Sequence, residues 1–269
     1  MRLHGKVIVV TGGAGLLGKE HAKAILFEGG SVALLDVNIQ ELTHFYESLL
    51  PEFKTRTRVF HCDITNESIL KEVCNTIVKE LGVITGLVNN AAVNAMVEKD
   101  FSGFTRLEDF SVEQWTNELQ VGLTGAMLCT KIFGKYMVQN QVRGSIVHIA
   151  SDHGLIAPNQ NLYKNESLDD MLQPVKPVSY SVVKHGLIGL SKYVATYWCD
   201  NGIRSNALCP GGVRNSQKAE FVEKFSKIVP LGRLAEPSEY RGALVFLLSD
   251  ESSYMTGATL VIDGGRTAW

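Results

Sequence analysis

Short runs of apolar, often β-branched residues recur along the chain and alternate with stretches in which apolar positions return every three or four residues. The short runs are Val7-Ile8-Val9-Val10, Val32-Ala33-Leu34-Leu35, Val59-Phe60, Leu87-Val88, Ile146-Val147-His148-Ile149, Ser205-Asn206-Ala207-Leu208 and Leu260-Val261-Ile262. The helical spacing falls at about 16–28, 39–50, 66–81, 112–137, 179–200 and 238–248. Strands that are apolar throughout, rather than at every second position, are expected where helices cover both faces of a sheet. The pattern predicts an α/β protein with a single-domain Rossmann fold: a doubly wound, seven-stranded parallel sheet with helices on both faces. No linker, repeat or low-complexity tract divides residues 1–269, so one domain is expected. Two longer irregular stretches, 93–111 and 152–178, interrupt the rhythm, and connections of that length in a compact α/β fold are usually functional loops.

Charge narrows the partners. The 26 Lys and Arg are scattered among 28 Asp and Glu for a net charge of -2, with no basic face of the kind a polyanion binder carries. Nucleic acid is therefore not an expected partner. Strand-like sequence begins within six residues of Met1, and no apolar run reaches the ~18 residues of a membrane span, so a cytoplasmic protein without a membrane partner is expected. Five cysteines, at 62, 74, 129, 199 and 209, lack metal or redox spacing and read as reduced packing residues, and no metal site is expected.

Candidate chemistry begins with Thr11-Gly12-Gly13-Ala14-Gly15-Leu16-Leu17-Gly18, which follows the first strand and opens the first helix. Glycines there let the backbone turn tightly and approach a pyrophosphate, whose charge is met by the unpaired N–H groups of the helix N-terminus. Asp36 ends the second strand 18 positions after Gly18, where a carboxylate can accept from an adenosine ribose and repel a 2′-phosphate. No Arg or Lys stands in the glycine turn or directly after Asp36, so NAD is expected over NADP. Tyr180 and Lys184, four apart on a predicted helix, share one face. An ammonium beside a phenol favours the phenolate and makes it a competent acid or base at a carbonyl.

The glycine turn, Asp63-Ile64, Asn89-Asn90-Ala91-Ala92, Ser151, Tyr180-Ser181-Val182-Val183-Lys184, Pro210-Gly211 and Tyr254-Met255-Thr256-Gly257 before Asp263-Gly264-Gly265 occur in the order of the short-chain dehydrogenase/reductase family, which the whole chain resembles. The resemblance implies Tyr180 as catalytic acid/base, Ser151 as hydrogen-bond partner of the substrate oxygen, and Lys184 as holder of the nicotinamide ribose. For the cofactor it implies Gly12, Gly15, Leu16, Leu17, Gly18, Asp36, Asp63, Ile64, Asn89, Ala91, Tyr180, Lys184, Pro210, Gly211 and Val213. It also implies a homotetramer or dimer joined through the helices at 112–137 and 179–200.

The chain departs from the family pattern in three places. Gly122 stands where the single-domain branch carries an Asn that relays protons to the active lysine, so water or a neighbour such as Gln120 would have to serve. The glycine turn is closer to that of nucleotide-sugar epimerases and dehydratases, although the chain finishes soon after Asp263-Gly264-Gly265 without their substrate domain. Ser151 and Tyr180 are separated by 29 positions, a wider gap than usual, marking an inserted active-site loop at about 152–178 rich in polar side chains suited to a polyhydroxylated ligand.

Within that loop Asn161 and Tyr163, together with His153 beside Ser151, are candidate substrate contacts. Asn161-Leu162-Tyr163, the run from Tyr180 to Leu190 and the ending Gly264-Gly265-Arg266-Thr267-Ala268-Trp269 resemble a subgroup linked to flagellin modification and to nonulosonic acids such as legionaminic acid. A sugar-like small-molecule substrate oxidised or reduced at a CH–OH carbon is thus expected. The alternatives are a cofactor-retaining epimerase or dehydratase and a non-catalytic NAD(H)-binding protein.

Overall fold

A computed structural model describes residues 1–93 and 105–269; most of the predicted irregular stretch 93–111 lies outside the described residues. The strands are β1 (Val7–Thr11), β2 (Ser31–Asp36), β3 (Thr57–His61), β4 (Ile84–Asn89), β5 (Ser145–Ile149), β6 (Arg204–Pro210) and β7 (Thr259–Ile262). They form one sheet in the order β3-β2-β1-β4-β5-β6-β7, every neighbouring pair parallel. The helices are α1 (Leu16–Phe27), α2 (Ile39–Glu47), α3 (Pro51–Lys54), α4 (Glu67–Leu81), α5 (Val112–Leu119), α6 (Ala126–Cys129), α7 (Lys135–Gln139), α8 (Val178–Tyr197), α9 (Ala219–Ser226) and α10 (Arg241–Leu248).

Why the strand runs are apolar throughout is visible in β1. Ile8 and Val10 belong to a core cluster with residues of α1 and α10, whereas Val9 and Val7 join a second cluster with α4 and the α6–α7 region. Side chains alternate across a strand, so two covered faces leave no polar position. At roughly 1.5–3 kcal/mol for each fully buried aliphatic side chain, these two layers dominate the fold's stabilisation.

After β3 the chain crosses back to place β4 on the other side of β1. The connections at the carboxyl ends of β1 and β4 therefore diverge, opening the crevice in which open α/β sheets bind ligands.

The structure refines the predicted elements. The helix expected at 112–137 is a rod, α5 to α7, broken by π-helical turns at Gln120–Gly125 and Thr130–Gly134, features that mark functional or strained sites and that periodicity does not reveal. Helix α9 and the short α3 were not predicted. The 152–178 loop forms three 3-10 turns, Asp152–Gly154, Gln160–Tyr163 and Asp170–Leu172. Leu162 from this loop packs with Phe225, Val229 and Leu234, so the loop and α9 close together over one end of the crevice.

Candidate active site

One cleft of about 560 Å³ runs along the crevice. At its first end the glycine turn is shaped by two close approaches. Gly12 has φ +65, and a Cβ there would stand 2.8 Å from Ala91 Cα; Gly18 packs so tightly on the Gly12 carbonyl that a side chain would overlap it. Helix α1 then begins without a side-chain cap on its first amides, which is the donor array an anionic phosphate satisfies.

Asp36 holds the turn from the neighbouring strand. Its Oδ2 accepts from Ala14 N at 2.9 Å and its Oδ1 from Asn38 N at 2.9 Å. Each carboxylate oxygen keeps a further lone pair for a ribose hydroxyl. The residues present thus fit an adenosine diphosphate group, with Asp63 and Ile64 on the far wall.

Asn90, which sequence reasoning passed over, ties the end of β4 to the turn: its Nδ2 donates to Thr11 O at 2.9 Å and Gly12 O at 3.0 Å. Asn89 does not line the cleft. It is buried behind it, donating to Thr130 Oγ1 at 2.9 Å and facing His148 Nδ1 at 3.2 Å, because successive strand residues point to opposite faces. Only the Asn-Asn dipeptide hinted that the second residue, not the first, faces the turn.

The other end gathers Ser151, Tyr180 and Lys184. Ser151 follows β5, while Tyr180 and Lys184 occupy successive turns of α8, which packs beside β5 and β6. Lys184 Nζ donates to Ile149 O at 2.8 Å and lies 5.5 Å from the Tyr180 ring centroid. Burial pushes the Tyr180 phenol up to about 12, an effect that a hydrogen bond with Ser151 opposes. Burial also pulls the Lys184 ammonium down to about 8, with Lys176 adding to the fall.

Ser151 Oγ donates to Asp152 Oδ1 at 2.7 Å and accepts from His153 N at 3.2 Å. Asp152 Oδ2 pairs with Arg266 Nη1 at 2.5 Å, and both Arg266 amino groups lie 3.2 Å from His153 Nε2. Burial pulls His153 down to about 4, so it is neutral at physiological pH and its Nε2 can accept from the guanidinium.

Of the other candidates, Gly12, Gly15, Leu16, Leu17, Ala91, Pro210, Gly211, Val213, His153 and Tyr163 line the cleft. Tyr163 does so while packed on Phe221 of α9, ring centroids 5.6 Å apart. Asn161 is exposed and off the cleft, its amide taken by the Asn159 side chain, because the 3-10 turn aims Leu162 inward and its neighbour out. Gln120 is exposed as well.

Gly122 is buried against α8, where a Cβ would lie 2.7 Å from Val183 Cγ1. Besides Asn90, the charged cleft residues Asp152, Lys176 and Arg266 were missed from sequence. Lys176 sits in the loop whose other polar residues drew attention, and Arg266 lies 113 positions from its partner His153.

This geometry defines an alcohol oxidoreductase of the Rossmann type, and comparison with known proteins agrees. Residues 6–164 match the family model described as short chain dehydrogenase, and residues 170–267 match one described as Enoyl-(Acyl carrier protein) reductase.

The chain belongs to the short-chain dehydrogenase/reductase family and is an oxidoreductase of alcohol groups. It is 33% identical over 263 residues to post-translational flagellin modification protein A of Campylobacter coli, covering 98% of each chain. It is 30% identical to D-threitol dehydrogenase of Mycolicibacterium smegmatis, covering 99% of this chain and 94% of the other. Among solved structures, a short chain dehydrogenase from Leptospira borgpetersenii with bound NAD+ superposes with a TM-score of 0.84 at 28% identity, covering 99% of this chain and 94% of that one.

Proposed function

We propose that this protein uses NAD(H) to interconvert a hydroxyl and a ketone on a sugar or amino-sugar derivative. The observation that carries the proposal is the single cleft with Asp36 and the glycine turn at one end and Ser151, Tyr180 and Lys184 at the other. A bound dinucleotide supplies a nicotinamide carbon that accepts or returns hydride. The chain supplies the proton chemistry. Tyr180 takes the hydroxyl proton of the substrate, Ser151 orients the reacting oxygen, and Lys184, held by Ile149 O, keeps its charge beside the phenol.

The choice of NAD over NADP rests on the Asp36 carboxylate, which a 2′-phosphate would meet at like charge. The choice of a sugar-like substrate rests on the polar groups of Tyr163, Lys176, Asn215 and Gln217 in the cleft lining and on the kinship with proteins named for flagellin modification and D-threitol oxidation. Assembly through α5–α7 and α8 is part of the same reading, supported by exposed Val112, Met127, Val182, Tyr193 and Tyr197 on those helices. Sedimentation should find a dimer or tetramer.

A screen of sugar phosphates, nucleotide sugars and tetritols with NAD+ tests the activity. Stoichiometric NADH production lost in Tyr180→Phe is expected. Turnover without net NADH would instead favour an epimerase or dehydratase, and tight NADH binding with no turnover would favour a non-catalytic binder.

A further inference from the structure

Lys176 reaches Tyr180 more closely than Lys184 does. Its Nζ lies 4.0 Å from the centroid of the Tyr180 ring, against 5.5 Å for Lys184. The two ammoniums approach from different elements: Lys184 from the second turn of α8, Lys176 from the loop just before that helix, where Gln160 Oε1 accepts from its backbone N at 2.9 Å. Lys176 also forms part of the wall between the catalytic cleft and a second cavity of about 470 Å³ bounded by Arg106, Pro158, Gln160 and His185.

We propose that Lys176 is a second lysine serving Tyr180, a positioning residue whose ammonium on the face of the ring stabilises the phenolate through which Tyr180 must pass. The inference rests on the reading of Tyr180 as the acid/base. Its physical basis is the balance at the ring. Burial opposes the phenolate, and the charge of Asp152 opposes it too. Ser151 favours it by a hydrogen bond, and His153, its ring 5.8 Å away and edge-on, contributes no charge because it is neutral. Arg266 lies behind His153 with its charge committed to Asp152.

The remaining positive charge facing the ring among the described residues comes from the two lysines. A cation over an aromatic face is favourable with the neutral phenol and more so with the phenolate, so it shifts the equilibrium toward the base. Lys176 keeps its proton at neutral pH despite being pulled down to about 8 by burial, with Glu118 and Asp152 resisting the fall. Glu118 on α5 is itself fixed by Gln114 at 2.9 Å and by Ser179. Lys184 faces Ile149 O and Cys209.

The test is the near-ultraviolet phenolate absorbance of the full chain saturated with NAD+, titrated with pH, with the Tyr180→Phe curve subtracted so that only Tyr180 remains. Because Lys176 loses its own proton near 8, the comparison that isolates the charge is with arginine, which stays protonated where the phenol ionises. The midpoint in Lys176→Arg should lie about one unit or more below that in Lys176→Met, roughly tenfold more phenolate at fixed pH. Lys176→Gln serves if the Met variant does not fold, and unchanged NADH affinity shows that the cleft is intact. Equal midpoints in the Arg and Met variants overturn the inference. That result combined with an inactive Tyr180→Phe leaves the function standing, whereas an active Tyr180→Phe or a chain that binds no NAD+ counts against the functional reading itself.

Discussion

Arg266, near the end of the chain, is paired at 2.5 Å with Asp152, which accepts the Ser151 hydroxyl through its other oxygen. Both members of the pair are almost completely buried, so removing one leaves a charge without compensation. Arg266→Met or Asp152→Leu should each lower unfolding stability by about 3–5 kcal/mol. The double replacement should recover much of that loss, a non-additivity readable in a denaturant double-mutant cycle. Activity should fall in all three because Ser151 loses its fixed orientation. Additive losses would show that the pair does not interact.

Asp36 carries the cofactor preference and also holds the glycine turn through Ala14 N. Asp36→Asn should keep the Ala14 N contact through its one amide oxygen and give up the Asn38 N contact, while removing the charge that repels a 2′-phosphate. The ratio of kcat/KM for NAD to that for NADP should fall by about tenfold or more, equivalent to roughly 1.4 kcal/mol. An unchanged ratio would place cofactor choice elsewhere in the cleft.

Gly122 cannot be restored to the asparagine of the family pattern without displacing Val183, the neighbour of Lys184. Gly122→Asn should cost roughly 1–3 kcal/mol by overpacking and lower turnover by disturbing Lys184. Adding Val183→Ala should relieve the overlap and return part of the stability, as a melting curve would report.

Three buried histidines set the acid limit. Burial pulls His21 and His153 down to about 4 and His148 to about 3. In the unfolded chain they titrate near 6.5. Above that pH both states are neutral and no stability depends on these groups. As pH falls below 6.5 the unfolded chain binds protons that the native state refuses, so stability declines toward pH 4 by up to about 1.4 kcal/mol per pH unit for each histidine. Both ring nitrogens of His21 lack a partner among the described residues, so His21→Leu should flatten the decline between pH 6.5 and 5 in urea titrations.

The sheet was legible because a strand buried on both faces must be apolar throughout, and β1 is apolar from Val7 to Val10. The glycine turn and the Tyr180–Lys184 spacing were legible for similar reasons, each being local in sequence and tied to a fixed geometry. What escaped was non-local. Arg266 meets Asp152 across 114 positions, and no periodicity announces such a contact. Lys176 stood among irregular residues whose direction only the folded loop defines. The π-turns around Gly122 and Thr130 keep an ordinary helical pattern of apolar residues, so their extra residue per turn is silent in the sequence.

One detail of the serine bears on how the resting site receives its substrate. With its proton given to Asp152, one lone pair taken by His153 N and the other facing the Tyr180 phenol, Ser151 has no free acceptor in the unliganded pocket. An alcohol can dock only by displacing one of these contacts, and a carbonyl only by drawing the serine proton away from the aspartate, so admission of either form begins with a rearrangement at this hydroxyl.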